Sequence, residues 1–190
     1  MSVLADDRPF DLMTLEQWDA LEVAHTRRWE LSEGSIIMSP RPQVTHQRIS
    51  RQLIGLLQDH LPDGLEPLAE IEVTTIASFP PSVRDPDIAV IRSEAVEGRT
   101  VRVPATDVVL IVEIVSAGSR SMDHVMKRYE YAKAGIEHYW IVDPEAPSGE
   151  WFLAYRLDGE EYRPIAAVAG EQVHMHEPVD IRFTLGQLAG

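Results

Sequence analysis

The chain contains no cysteine, which excludes disulfides, thiolate zinc sites and a cysteine nucleophile together. Lysine is nearly missing as well: Lys127 and Lys133 stand against fifteen arginines in 190 residues. A position that keeps lysine in a chain that otherwise builds positive charge from arginine therefore attracts attention. Positive charge of any kind is in deficit, with a formal net charge of −14. That balance excludes nucleic-acid affinity drawn from bulk charge, because phosphate binding is driven by Lys and Arg displacing counterions. It leaves room for a local basic groove, since the field of surface charges fades within roughly 8–10 Å at physiological salt. No stretch approaches the roughly 20 apolar residues of a membrane span. The opening Met-Ser-Val-Leu-Ala-Asp-Asp-Arg is acidic, unlike the basic-then-apolar start of a secretory signal. A cytoplasmic protein is the expectation. Internal repeats, low-complexity tracts and long linkers are also lacking. At 44% hydrophobic the length suits one core and is short for two, so residues 1–190 are expected to form a single domain.

What is present reads as alternating helices and strands. Thr14 and Gln17 make a capping box ahead of Leu15, Trp18 and Leu21, which recur at helical spacing. "RRWELSEGSIIMSP" reads as a hairpin turning at Ser32 to Gly34. Thr45 is placed to cap a helix whose buried face is Ile49, Leu53, Leu56 and Leu57, ended by Pro62 and Gly64. "EIEVTTI" alternates as a strand, the Pro80-Pro81 pair turns the chain, and "PDIAVIR" and "DVVLIVEIVS" follow as further strands. The last is apolar almost without interruption from Val108 to Val115, the pattern of a strand covered on both faces. A helix resumes at Ser121, with Met122, Val125, Met126, Tyr129 and Ala132 spaced for packing and Gly135 as its C-terminal stop. "HYWIVD" is another buried strand, and "EWFLAYRL", "EYRPIAAV" and "DIRFTL" form β extensions. Strand-helix-strand units around a buried strand predict α/β layers.

Glu113 interrupts the most apolar strand of the chain. Burying an ionised carboxylate without a partner costs several kcal/mol or more. Either Glu113 pairs with an arginine or meets a solvated edge, or it points into a cleft and binds a cation. Asp87 follows Pro86 at the start of the preceding strand. Proline cannot donate to the ladder and so marks where pairing begins. Alone this is ordinary turn chemistry; with Glu113 it offers two oxygen ligands from successive strands, as a hard divalent ion requires. Asp85 is a neighbouring alternative. Lys127 lies four residues after Asp123, so both project from one helix face, either as a surface ion pair or with the ammonium near the carboxylates. His174 and His176 alternate on a strand without an evident third ligand and read as exposed strand residues. His46, in the first turn of its helix, reads as a local hydrogen-bonding group in preference to one lining a groove, and Tyr139 and Trp140 read as core. Ser116 and Ser119 lack the histidine–acid partners of a serine nucleophile, and no Gly-rich phosphate loop is present.

A Pro-Asp pair at a strand start, followed on the next strand by Glu, resembles the PD-(D/E)XK nuclease superfamily. More closely, "WELSEGSIIMSPRPQVTHQRI", "DPDIAVI" and "VEIVSAGSRSMDHVMKRYEYAKAGIEHYWIVD" resemble the Uma-type family of restriction endonucleases, over nearly the whole chain from about Thr14. The resemblance implies a restriction endonuclease-like core, a mixed β-sheet flanked by helices in αβββαβ order, with an N-terminal helix and hairpin and a C-terminal β extension. It implies Asp87 and Glu113 as ligands of Mg²⁺ or Mn²⁺, with a strand carbonyl such as that of Ile114 beside them. It implies Lys127 as the charge-stabilising group and a supporting catalytic role for Glu30, which the residues alone read as a solvent-facing strand position. Glu72 is a poorer substitute. The superfamily lysine normally follows the acid by two residues, where this chain has Val115; the closer family moves it to the next helix, at Lys127. DNA is the implied substrate, with Arg41, Arg48, Arg51, Arg120 and Arg128 expected to line one cleft. A homodimer follows by analogy, because two sites are needed to cut both strands. The rival classes are a nuclease-fold interaction protein that has lost cleavage, and a metal hydrolase of small phosphoesters.

Overall fold

The computed structural model describes residues 12–21, 28–39, 42–96, 102–116, 120–146, 150–170 and 172–190. Arg41 and Ser119 lie outside the described residues. Helix α1 (Leu15–Asp19) carries the expected capping box between Thr14 and Gln17. Strands β1 (Arg28–Ser32) and β2 (Ser35–Ser39) pair antiparallel through a two-residue turn in which Glu33 and Gly34 both have positive φ, 46° and 76°. That backbone matches the twist of the flanking strands. Position 34 has no room for more than glycine, since a Cβ there would lie 2.9 Å from Leu12 Cβ.

Helix α2 (Val44–His60) buries Ile49, Leu53 and Leu57 as its spacing predicts. Its N-cap is Gln43, with no side-chain bond, so Thr45 sits inside the first turn and not at its end. Strands β3 (Leu65–Ala69), β4 (Glu72–Ile76), β5 (Ser82–Arg84), β6 (Ile88–Arg92), β7 (Arg102–Pro104) and β8 (Val108–Ile114) follow. Next come a π-wound stretch, Met122–Lys127, that runs into α3 (Arg128–Lys133), then β9 (His138–Val142), β10 (Phe152–Asp158) and β11 (Glu161–Val168). The chain ends in β12 (Gln172–Met175), β13 (Ile181–Thr184) and α4 (Leu185–Ala189).

A six-stranded mixed sheet in the order β11-β10-β9-β8-β6-β3 forms the centre, with β8–β9 parallel and its other neighbours antiparallel. The parallel pair requires a crossover, which the π stretch and α3 supply. The series α2, β3, β6, β8, α3, β9 is the αβββαβ order that the sequence resemblance implies. Its first strand is not "EIEVTTI", however. That segment is β4, which belongs to a second sheet ordered β2-β1-β5-β4-β7, while β3 takes the place at the edge of the central sheet. Pro67 in β3 hid the strand, and Pro is tolerated in a strand that has an unpaired edge. The "DIRFTL" segment, β13, likewise leaves the meander and pairs with β12 in a sheet of its own.

Alternation along the central strands sends side chains to two cores. Ile88 and Val90 of β6, and Leu110, Val112 and Ile114 of β8, meet α2, α4 and the β12–β13 hairpin. Ala89, Ile91, Ile111 and Val115 face the other way, toward Tyr131 and Ile136 at α3. Asp87 and Glu113 have the parity of this second set, and Glu113 projects under the π stretch and α3, where Lys127 and Tyr131 meet it.

The helix above them is polar side down. Val125, Met126 and Tyr129, spaced as a packing face, are 57%, 50% and 64% exposed. Of the expected packing residues Ala132 is buried; the other buried positions are Asp123, Lys127, Glu130 and Tyr131, at i, i+4, i+7 and i+8. Two of the winding's supports are visible in hydrogen bonds. Tyr139 Oη donates to the Asp123 carbonyl at 2.8 Å, and the C-terminus closes in a Schellman turn, with Gly135 (φ 80°) donating to Ala132 and Ile136 to Tyr131.

Candidate active site

Three elements deliver the acids that the sequence singles out. The antiparallel register pairs Ile88 with Val112, so one step further Asp87 stands opposite Glu113 on the same face. Asp87 Oδ2 accepts the Ile114 amide at 2.7 Å, continuing the ladder with a side chain where the β6 backbone stops. The same oxygen lies 3.0 Å from His46 Nε2 on the first turn of α2. Only a protonated Nε2 can donate to a carboxylate, which fixes that nitrogen as the N–H. The expectation that His46 bonds locally is thus corrected: its partner is 41 residues away. Its Nδ1 is buried without a hydrogen-bond partner.

Glu113 is 2% exposed. Its Oε1 accepts from Lys127 Nζ at 3.0 Å and from Tyr131 Oη at 2.7 Å. Lys127 Nζ also lies 3.2 Å from Glu30 Oε1 and 3.6 Å from Asp123 Oδ1. Glu30 does not face solvent; it is buried, and Oε1 also accepts the Asp85 amide at 3.2 Å. Its Oε2 takes a bond from Arg84 Nη1 at 3.0 Å. Arg84, wholly buried, forks onto Glu130 through Nε and Nη2, both at 2.6 Å, and Nη2 reaches Ser32 Oγ at 2.9 Å. Asp87, Glu113, Lys127 and Glu30 are therefore brought together, and Arg84, Glu130, Tyr131 and His46 join them.

The electrostatics follow from burial and count. Five buried carboxyl groups (Glu30, Asp87, Glu113, Asp123, Glu130) share two fixed cations, Lys127 and Arg84, which leaves an excess of negative charge, two when Glu113 holds a proton and three when it is ionised. Burial pushes the Glu113 carboxyl up to about 8, opposed by Lys127 and reinforced by the charges of Asp87, Asp123 and Glu30. Burial acts on Glu30 in the same direction, but Lys127 and Arg84 outweigh it and hold Glu30 below its ordinary value. Burial disfavours the Lys127 ammonium, and the surrounding carboxylates, Glu113 first, more than reverse this, so Lys127 stays charged. Tyr131 is held well above its usual range by burial and by Glu113, and remains a neutral donor.

Other candidates fall elsewhere. Glu72 accepts from Trp18 Nε1 at 3.2 Å and lies 3.7 Å from Arg102 on the second sheet. Arg120 forks onto Asp143 at 2.7 and 2.9 Å. Arg128 does not turn to the carboxylates; its guanidinium stacks over the Tyr155 ring at 5.3 Å. Arg48 and Arg51 remain exposed on α2, the helix that brings His46 to Asp87. Tyr139 and Trp140 are core residues, as expected.

The oxygen-rich donor set, the surplus negative charge and the raised Glu113 suit a hard divalent cation. Among the described residues no helix is long and apolar enough to cross a membrane. The Uma2 family, described as "Putative restriction endonuclease", matches residues 14–186. A crystal structure of "a putative nuclease belonging to DUF820" from Anabaena variabilis shares the fold, with a TM-score of 0.65 at 18% identity, covering 93% of this chain and 97% of that one. No curated protein matches the chain. A family match over nearly the whole length, on a restriction endonuclease-like fold whose paired strand acids meet a helical lysine, makes this chain a member of the Uma2 family.

Proposed function

We propose that this protein is a metal-dependent endonuclease that hydrolyses DNA phosphodiester bonds, with Asp87 and Glu113 as ligands of Mg²⁺ or Mn²⁺. The observation that carries the reading is the meeting of Lys127 with Glu113 at 3.0 Å, beside Asp87 on the adjoining strand. When bound, the ion would lower the pKa of a coordinated water and offset charge on the phosphate. The Ile114 amide and His46 fix one oxygen of Asp87, and Tyr131 and Lys127 fix one of Glu113, so both carboxylates are oriented by the protein before any ligand arrives. Lys127 offers a permanent positive charge for the negative charge that develops at phosphorus. Glu30 divides its two oxygens between Lys127 and Arg84, and thereby positions the ammonium. Arg48 and Arg51, exposed on α2, are the described arginines nearest in the chain to His46 that can meet a phosphate backbone. Two copies of the chain would provide the two sites that double-strand cleavage needs.

The test is plasmid nicking with Mn²⁺ or Mg²⁺, run beside the Asp87→Ala/Glu113→Ala double variant, with an oligonucleotide and a small phosphodiester as parallel substrates. Nicking is expected only with metal and only with the unaltered acids. Equal activity in protein and variant, with no carboxylate-dependent heat on metal titration, would overturn the mechanism. Turnover of the small ester alone would point to a hydrolase of another substrate class, and metal binding without turnover to an interaction protein.

A further inference from the structure

A further group of side chains able to hold a metal ion lies, among the described residues, on the β12–β13 hairpin and outside the carboxylate cluster. His174 is on β12, His176 follows the end of that strand, and Asp180 precedes β13. The sequence offers only the i, i+2 histidine pair; the hairpin brings in the third group by folding the strand ends together. His174 Nε2 lies 3.1 Å from Asp180 Oδ1, and His176 Nδ1 lies 3.7 Å from Asp180 Oδ2. The two imidazole centroids are 4.0 Å apart, and one donor atom from each residue falls within 4.8 Å of the others. In a tetrahedral site with bonds of about 2.0–2.1 Å, donor atoms stand roughly 3.3 Å apart. All three side chains are exposed, so small rotations close the remaining gap without disturbing the core.

We propose that His174, His176 and Asp180 form a site for a borderline transition ion such as Zn²⁺, independent of the Asp87–Glu113 cluster. Two imidazole nitrogens and one carboxylate suit such an ion and not Mg²⁺, which takes oxygen ligands and gives up its waters reluctantly. Three protein ligands leave a fourth position for water or an incoming group. The two sites lie on opposite faces of the central sheet. Val173, Met175, Ile181 and Phe183 of the hairpin pack into the core on the α2 and α4 side, whereas Glu113 projects under α3 to Lys127 and Tyr131. Arg182, paired with His174 across the hairpin, is the neighbour that opposes a cation; its influence on Asp180 is weaker than that of either histidine. An ion here would join the two ends of the β12–β13 turn. The other arrangement these groups can hold is an exposed His–Asp–His cluster of weak surface contacts.

The experiment titrates the full chain with ZnCl₂ at neutral pH by calorimetry, in excess Mg²⁺ so that the carboxylate cluster is occupied by the harder ion. One Zn²⁺ per chain is expected, insensitive to the Mg²⁺ concentration. His176→Ala and Asp180→Asn, both surface changes, should each weaken binding by at least the roughly 10–100-fold that loss of an outer-shell partner costs. The same titration of the Asp87→Ala/Glu113→Ala variant should leave the Zn²⁺ affinity unchanged. Absence of Zn²⁺ binding, or affinity that survives both hairpin substitutions, overturns the site, whatever the outcome of the cleavage assay.

Discussion

Replacing Arg84 with leucine should destabilise the protein by about 3–5 kcal/mol, the range for breaking a buried ion pair by removing one partner. The guanidinium has no solvent exposure and makes four hydrogen bonds, two to Glu130, one to Glu30 and one to Ser32. Without it, Glu130 loses both arms of its fork and Glu30 keeps Lys127 as its remaining cationic partner. Glu30 and Glu130 are 2% and 8% exposed, so the stranded charges have little access to water. For a chain of this size each kcal/mol shifts the midpoint by about 2–4 °C, so the loss should appear as a fall of about 10 °C in a thermal melt. Urea denaturation gives the free energy directly. The double variant Arg84→Leu/Glu130→Leu should recover part of the loss, since replacing both partners by apolar groups removes the stranded charge. A loss below about 1 kcal/mol in the single variant, the value for an exposed pair, would refute the reasoning.

Three further outcomes follow from the same cluster. With its carboxyl raised from 4.5 to about 8, folded Glu113 holds a proton that the unfolded chain has released, so its contribution to stability is complete below pH 4.5 and is lost as pH rises toward 8. Denaturation curves of metal-free protein should therefore fall by a few kcal/mol across that window, and Glu113→Gln should flatten the fall; a flat profile for the unaltered protein would remove the burial argument. Glu30 acts in the opposite sense and lower down, contributing stability above 4.5 that is lost as pH drops through its depressed folded value. His46→Ala should weaken Mn²⁺ binding roughly 10–100-fold while leaving the fold intact, read by calorimetry and circular dichroism, because it removes one of the donors that orient Asp87.

The strands and the acids were legible because their signals are local. Val108 to Ile114 is apolar on both faces, and a carboxylate within such a run is conspicuous whatever the rest of the chain does. Asp87 announces itself through Pro86 and the apolar strand that follows. The residues that were not legible are those whose role depends on distant partners. Arg84 reads as one charge among fifteen arginines, and only the packing of β1 and α3 against the end of β5 turns it into the anchor of Glu30 and Glu130. His46 looks like a helix-start residue until α2 is laid beside β6. The helix over the site was misread for a more instructive reason. Its apolar positions are at helical spacing, and the usual rule sends them inward. Here the inward face must serve ionised groups, so Asp123, Lys127 and Glu130 take it and Val125, Met126 and Tyr129 are left outside. Periodicity identifies a face; it does not say which face is buried when the interior is charged.

The placement of the lysine accounts for much of this arrangement. Strand alternation puts position 115 on the same face as Glu113, where the wider superfamily pattern has its lysine and this chain has a buried valine packed with Tyr131 and Ile136. Lys127 reaches Glu113 from above instead. A lysine carried by a strand is positioned by the ladder itself, whereas a lysine carried by a helix is only as well placed as the helix. The buried lattice supplies what the ladder otherwise would. Arg84 at the end of β5 holds Glu130 of α3 and Glu30 of β1, and Glu30 returns to Lys127, so two sheets and the helix are tied through charged groups that meet at the ammonium. Arg84, whose hydrogen bonds go to Glu130, Glu30 and Ser32, is therefore as necessary to the proposed chemistry as the acids are, because it fixes the element from which the positive charge is delivered.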